Sequence, residues 1–492
     1  MLYHIITLGC QMNKSDSERV RTVLDKMGFR WTSDEKEADL LGILACSVRQ
    51  KAIDKVYSRI SLWNKWKNKR NLLTFVSGCF LPNDKIRFLK LFDLVFTMDE
   101  LPEVPDMVRQ YGIVTPYSLS QEQDSDQPVL KETAQGSTEF PSLLELLQNG
   151  DSIKIDSDTL QSIPSEDRDD RSIMDGFWHI RPHYSSDFEA FVPIQNGCDK
   201  FCTFCAVPYT RGREVSRPSS EILREISQLI EKGYKSITLL GQNVNSYGLD
   251  RKGEEISFTE LLRAIGELGN TSGKEFWVYF TSPHPRDMAT DVIDVISQYN
   301  CLAKQIHLPL QSGDDKVLVK MNRKHNVEKY RKIVEYIRTR IPEATLFTDI
   351  IVGFTGETDE QFYKSREALR EFQYNMAYIA IYSPRPGAVS SRWQDDIPIS
   401  VKKKRLHELT EDLEKTSYAY TKRMVGKNFR VLVTGQDRKK KYLTGLTEGR
   451  INIRFLPPDL SMVGKFVNLR ITGATEFSVE GELVEVSQIS ES

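Results

Sequence analysis

The chain has 492 residues, room for about three domains, and its 39% hydrophobic and 28% charged content fits a soluble globular protein. No apolar run reaches the roughly 18 residues of a bilayer span. Met1-Leu-Tyr-His-Ile-Ile-Thr7 also lacks the basic region and apolar core of a secretory signal, so the expected compartment is the cytoplasm and no membrane is expected as a partner. In such a chain seven cysteines point to metal ligands or catalytic groups more than to disulfides.

Residues 1–117 read as an α/β domain. Leu2 to Leu8 is an apolar strand ending at Gly9-Cys10, and Gln11-Met-Asn13-Lys-Ser-Asp16-Ser17-Glu18 supplies polar residues suited to capping the amphipathic run that follows to Met27. Ala38 to Ala45 is a second apolar run, ending at Cys46. Leu72 to Ser77 is a third, ending at Gly78-Cys79. Three strands each deliver one cysteine at the carboxyl end, where open α/β sheets place their ligands. These are either three unrelated buried cysteines or a second metal cluster, and the repeated arrangement favours the cluster.

Residues 118–175 change character. Thirteen acidic and four basic residues lie between Gln121 and Ser172, a net −9 against −2 for the whole chain, which leaves +7 on the remainder. The segment reads as a disordered acidic tether with one short apolar piece, Phe140 to Leu147. The basic surplus elsewhere is compatible with a nucleic-acid partner.

Gly197-Cys198-Asp-Lys-Phe-Cys202-Thr-Phe-Cys205 follows a short apolar strand, Ala190 to Ile194. A structural zinc takes four ligands, usually as two Cys pairs, whereas three thiolates on a four-iron cube leave one iron open to a substrate or cofactor. A zinc knuckle with a distant fourth ligand and buried structural cysteines are the bland alternatives.

Residues 176–419 alternate strands with amphipathic helices. Strands are expected over 236–240, 276–281, 305–308, 346–352 and 375–382, and helices over 219–232, 257–268, 287–299, 327–340 and 358–371. Repeated βα units imply a parallel, barrel-type sheet with reactive residues at strand carboxyl ends. Cys301 fits no ligand position and reads as structural. Residues 420–488 hold short Gly-broken strands, read as a small β-barrel. It has 12 Lys/Arg against 7 Asp/Glu, including the run Arg438 to Lys441, which suggests RNA contact.

In this order the pieces resemble a methylthiotransferase of the radical S-adenosylmethionine class. The resemblance rests on Gly9-Cys10-Gln-Met-Asn13 with Asp16-Ser17-Glu18, and on the cysteine loop with Pro208-Tyr-Thr-Arg211-Gly212. Thr348-Asp-Ile-Ile-Val-Gly353, Tyr382-Ser-Pro-Arg-Pro-Gly387 and a terminal barrel similar to a TRAM domain add to it. Gly-Cys-Gln-Met-Asn and Val207-Pro-Tyr-Thr-Arg-Gly look most like the MiaB branch, which converts N6-isopentenyladenosine at position 37 of tRNA, near the anticodon, to its 2-methylthio derivative.

The resemblance implies two [4Fe-4S] clusters. One, on Cys198, Cys202 and Cys205, would cleave S-adenosylmethionine to a 5′-deoxyadenosyl radical. The other, on Cys10, Cys46 and Cys79, would carry the sulfur to be inserted, methylated first from a further S-adenosylmethionine. Gly241, Gln242 and Asn243 would approach the cofactor's methionine end, with Asp349 and Gly353 lining its pocket. The implied fold is an N-terminal α/β domain, a partial TIM-type barrel and a TRAM-like barrel. A monomer is expected, with tRNA as partner and no assignable electron donor or sulfur source. Leu44-Ala45 before Cys46 stands where the family shows Asn-Thr, and Phe80-Leu81-Pro82 follows Cys79 in place of a small, Gln-rich run. The competing readings are the same enzyme acting on N6-threonylcarbamoyladenosine or a ribosomal protein, and a non-catalytic iron–sulfur RNA binder.

Overall fold

The computed structural model describes residues 1–47, 50–111, 174, 176–438, 441–457 and 460–484. The expected acidic tether, with the piece Phe140 to Leu147, lies outside the described residues apart from Met174, as do Lys439 and Lys440 of the basic run.

The first sheet has five parallel strands: β1 Leu2–Thr7, β2 Arg30–Trp31, β3 Leu40–Cys46, β4 Leu73–Cys79 and β5 Leu94–Val95, in the order β2-β1-β3-β4-β5. All seven residues of β3 are buried, which is why this central strand reads as an unbroken apolar run. The two-residue strands β2 and β5 leave no periodic signal, so sequence reading finds three strands of the five. Strand order reverses between β1 and β3, the switch point at which doubly wound sheets open a crevice beyond the strand carboxyl ends. Cys10 follows β1, Cys46 ends β3 and Cys79 ends β4, with Cys46 and Cys79 directly opposed in register.

Helix α1, Gln11–Lys26, corrects one expectation. Its N-cap is Cys10, and no side chain caps it. Of the polar residues expected there as caps, Asn13, Ser15, Asp16, Ser17 and Glu18 are buried instead, because α1 also packs against the second domain. Ser15 Oγ donates to the Phe191 carbonyl at 3.3 Å. Glu18 accepts from the backbone and hydroxyl of Ser185 at 2.9 and 2.7 Å. Buried polar groups need partners, and these find theirs across the domain boundary.

The second domain is an arc of six parallel strands: β6 Glu189–Pro193, β9 Ser236–Leu240, β10 Trp277–Phe280, β11 Gln305–His307, β12 Thr345–Val352 and β13 Met376–Ile381. A parallel bridge from Val278 to Leu302 joins its two halves. Among the described residues β6 and β13 do not pair, so the barrel is partial. Helices over Ser219–Glu231, Phe258–Ser272, Thr290–Gln298, Val327–Arg340 and Asp359–Phe372 lie between the strands. Their apolar stripes meet the strands' outward residues in one core that includes Ile226, Leu239, Ile265, Ile293, Ile337 and Leu346. Cys301 belongs to this core, 2.4 Å from where a Cβ on Gly269 would stand, so it is packing, as the sequence suggests. Inward residues alternate with these along each strand: on β12 and β13 they include Phe347, Asp349 and Tyr378.

Helix Ile399–Met424 runs on from the arc into the terminal strands, so the expected 419/420 boundary falls inside one helix. Strands β14 Asn428–Gln436, β15 Leu443–Thr447, β16 Asn452–Phe455, β17 Phe466–Ala474 and β18 Ser478–Leu483 close into a barrel in the order β14-β15-β16-β18-β17. This barrel caps the amino ends of the arc, away from the cysteines. Phe466 packs on Trp277 with ring centroids 4.6 Å apart, and Thr345 donates to the Gly449 carbonyl at 2.8 Å. Arg450 reaches Thr238 at 2.9 Å and lies 4.0 Å over the Tyr279 ring. Among the described residues no helix is long and apolar enough to cross a membrane.

Candidate active site

Two short strands, β7 Gln195–Asn196 and β8 Val215–Ser216, pair antiparallel and close the base of the cysteine loop. Gly197 starts the loop with φ +76°, and a Cβ there would stand 1.8 Å from the Arg213 carbonyl oxygen, so the turn requires glycine. The Cys198 amide donates to the Gly212 carbonyl at 3.2 Å and the Cys205 amide to that of Cys202 at 3.0 Å. Donors also meet the sulfurs: the Val207 amide at Cys205 and Arg323 Nη1 at Cys202, each at 3.5 Å. Asn322 clamps the loop from outside by donating to the Phe201 carbonyl at 2.9 Å, and buried Lys200 pairs with Asp287 at 2.9 Å. Burial pushes the Cys198 thiol up to about 12 and that of Cys205 up to about 11.

The second trio gathers around Asn13. Its Nδ2 donates to the carbonyls of Leu8 and Ala45 at 2.8 and 2.6 Å, which ties the end of β1 to the end of β3. Its Oδ1 accepts from Cys79 at 3.5 Å and from Cys10 at a longer 3.8 Å. Cys46 and Cys79 are buried and Cys10 is exposed. Burial pushes the Cys79 thiol up to about 12, opposed by the charge of Arg211 and reinforced by Cys10 and Cys46. The two departures from the family pattern have structural uses. Leu44 and Ala45 fill the fully buried strand β3. Pro82 opens the helix Pro82–Phe88, and a Cβ on Gly387 would stand 3.0 Å from Leu81.

Among the described residues no three His, Cys, Asp or Glu side chains gather tightly enough to share one ion. Thiolates on a cube each meet a different iron and so stand further apart. Each trio offers three thiols and an N–H donor aimed at sulfur, which fits a cluster with one open iron. Bound iron deprotonates a coordinating thiol outright, which overrides the upward push of burial.

The expected cofactor residues divide. Gly241 leaves room for Gln195, whose Cγ would lie 2.7 Å from an added Cβ. Both amide atoms of Gln195, Oε1 of Gln242 and Oδ1 of Asn243 are buried without a partner, a set of orphaned polar atoms that suits a polar ligand. Asp349 faces inward, 3.3 Å from His307 Nε2. Gly353 follows the carboxyl end of β12. Its φ of +70° and the approach of Lys402, 2.4 Å from an added Cβ, explain it as a turn glycine under the helix Ile399–Met424. Sequence reading gave no role to Asn13, Arg211 or Arg323. The first two lay within quoted motifs; Arg323 lies beside Asn322 and Lys324, both at positive φ, and no pattern signals that.

Three family profiles match: "Radical SAM superfamily" over residues 192–369, "Uncharacterized protein family UPF0004" over 2–98 and "TRAM domain" over 422–484. The tRNA-2-methylthio-N(6)-dimethylallyladenosine synthase of Thermoanaerobacter pseudethanolicus is 35% identical over 99% of this chain and 93% of its own length. The chain belongs to the family of these synthases. Relatives of the same description from Carboxydothermus hydrogenoformans (35% identical, 98% of this chain and 99% of theirs) and Clostridium perfringens strain SM101 (36%, 98% and 98%) match along their length as well. Among solved structures, the radical S-adenosylmethionine methyltransferase TsrM of Kitasatospora setae aligns at 13% identity and TM-score 0.49 over 79% of this chain and 76% of that one.

Proposed function

We propose that this enzyme methylthiolates C2 of N6-isopentenyladenosine at position 37 of tRNA, with two [4Fe-4S] clusters and S-adenosylmethionine as both methyl donor and radical source. In this reading Cys198, Cys202 and Cys205 hold the cluster that cleaves the cofactor, and Cys10, Cys46 and Cys79 hold the cluster that supplies sulfur. The carrying observation is the shared network at Arg211, which touches Cys79 and belongs to the segment that receives the Cys198 amide bond. It supports two trios facing one space.

When bound, the cofactors would supply a carbon radical able to take the hydrogen atom from an unactivated C–H bond, which acid–base groups cannot do, and the sulfur that takes its place. The protein's own residues supply position. Gln195, Gln242 and Asn243 offer their unpaired polar atoms to S-adenosylmethionine. Tyr378 lies on the arc's inner wall, 56% exposed and edge-on to His307, where an unstacked base can stack on it. The terminal barrel, at the far end of the arc, contacts the RNA backbone outside the reaction space. A soluble cytoplasmic monomer fits this reading.

Nucleosides of tRNA from a strain lacking the gene are the test. Loss of 2-methylthio-N6-isopentenyladenosine with accumulation of its unmethylthiolated precursor is expected. Accumulation of N6-threonylcarbamoyladenosine, or an altered ribosomal protein with unchanged tRNA, would overturn the substrate.

A further inference from the structure

We propose that Arg211 is a positioning residue that reaches from the radical domain to hold Cys79 and set the reduction potential of the cluster on Cys10, Cys46 and Cys79. The role rests on the reading of those three cysteines as cluster ligands.

The guanidinium has four partners. Nε donates to Cys79 Sγ at 2.7 Å, Nη1 to Asn196 Oδ1 at 3.0 Å, and Nη2 to Asn13 Oδ1 at 3.3 Å and to Asp16 Oδ2. The side chains of Arg211 and Asp16 are 7% and 1% exposed. Arginine is always charged and presents its donors in a rigid fork, so the three oxygen contacts fix the direction of the bond to sulfur. Hydrogen bonds to cluster ligands, and the net charge around them, tune the potential. An N–H donor and a buried positive charge favour the reduced, more negative cluster. Asp16, paired with the same guanidinium, works against that charge, so the two residues act on one potential with opposite signs.

The contact also joins the two trios. Arg211 ends the short helix Val207–Arg211 that follows Cys205. Its own carbonyl accepts from Asn196 at 3.1 Å, and the next carbonyl, of Gly212, accepts from the Cys198 amide. One segment is thus pinned by its backbone to one trio and by its side chain to the other. A tie between domains does not need a sulfur acceptor: α1 already makes such ties through Ser15 and Glu18. The bond to Cys79 points to the cluster.

The test uses the full-length chain with Cys198, Cys202 and Cys205 all replaced by alanine, so that one cluster remains. It is reconstituted anaerobically and titrated with dithionite while the paramagnetic resonance signal of the reduced cluster is followed. R211Q should lower the midpoint by at least a tenfold change in the reduction equilibrium, about 59 mV for one electron. R211K, which keeps the charge and loses the fork, should lower it less, and D16N should raise it. Opposite shifts in R211Q and D16N are the result a purely structural tie does not give. Midpoints that stay put, or move the same way, overturn the role of Arg211 and leave the ligand assignment standing. A parent chain that binds no iron overturns both. Should R211Q fail to fold, a lowered midpoint in R211K with a raised one in D16N supports the proposal, and any other pair of results overturns it.

Discussion

Cys198, Cys202 and Cys205 lie within eight residues of one another, whereas Cys10, Cys46 and Cys79 span seventy. The loop trio is assembled by local chain: a two-residue hairpin base, one obligatory glycine and a few amide bonds. The sheet trio exists only if β1, β3 and β4 pair in one register and Asn13 bridges their ends. Long loops cost little extra closure entropy, but a slip of one residue in register would turn a cysteine to the other face. The same chemical demand, three thiolates around one small volume, is met by turn geometry in one case and by topology in the other.

Removing single thiols breaks the comparison most sharply. Cys202→Ala should abolish both S-adenosylmethionine cleavage and tRNA methylthiolation. Cys46→Ala should reduce bound iron from about eight to about four atoms per chain, keep cofactor cleavage and abolish the methylthio product. Iron analysis with detection of 5′-deoxyadenosine separates the two, and methylthiolation by Cys46→Ala would end the assignment of separate roles.

His325, beside the segment that clamps the loop trio, is pushed down to about 4 by burial, with the charge of Arg323 next. A depressed folded value means the folded chain binds fewer protons. The associated stability is therefore present above about pH 6.5 and lost as pH falls through about 4, worth about 3 kcal/mol when fully titrated. Urea midpoints measured across that range should fall with pH in the parent and flatten in His325→Gln. A parallel fall in both would remove His325 as the cause.

Gly42→Ala sharpens the contrast from the other side. An added Cβ would stand 1.9 Å from a Phe75 ring carbon between β3 and β4. Overpacking of this kind costs about 1–3 kcal/mol and should fall on the sheet trio alone. Iron in the cluster on Cys10, Cys46 and Cys79 should drop while 5′-deoxyadenosine formation persists; equal loss from both would show that the trios are not independently built. The smallest effect is expected far from both. Ser257→Ala removes a capping box on the helix Phe258–Ser272 and should cost about 1 kcal/mol by thermal melting, with iron content unchanged.

Much of the loop trio was legible because its constraint is local. Spacing, the preceding glycine and the strand before it are all printed in the chain. The sheet trio was half legible: three strand-then-cysteine runs could be seen, but β2 and β5 could not, being only two residues long. The polar residues of α1 were misread as caps because a buried polar face and a capped helix start look alike until the packing partner is known. Gly353 shows a related limit of local reading. A glycine after a strand signals ligand approach or a crossing side chain, and the crossing of Lys402, 49 residues on, is visible only in the fold.

The sequence by itself determined the parallel architecture, the terminal barrel and the spacing of the loop cysteines, since periodicity and short-range spacing are properties of the chain. Tertiary structure alone decided that Asn13 and Arg211 meet at Cys79, that Gln195, Gln242 and Asn243 leave polar atoms unpaired, and that the terminal barrel sits at the far end of the arc. Those facts depend on side chains from different domains arriving at one point, and no local pattern encodes such an arrival.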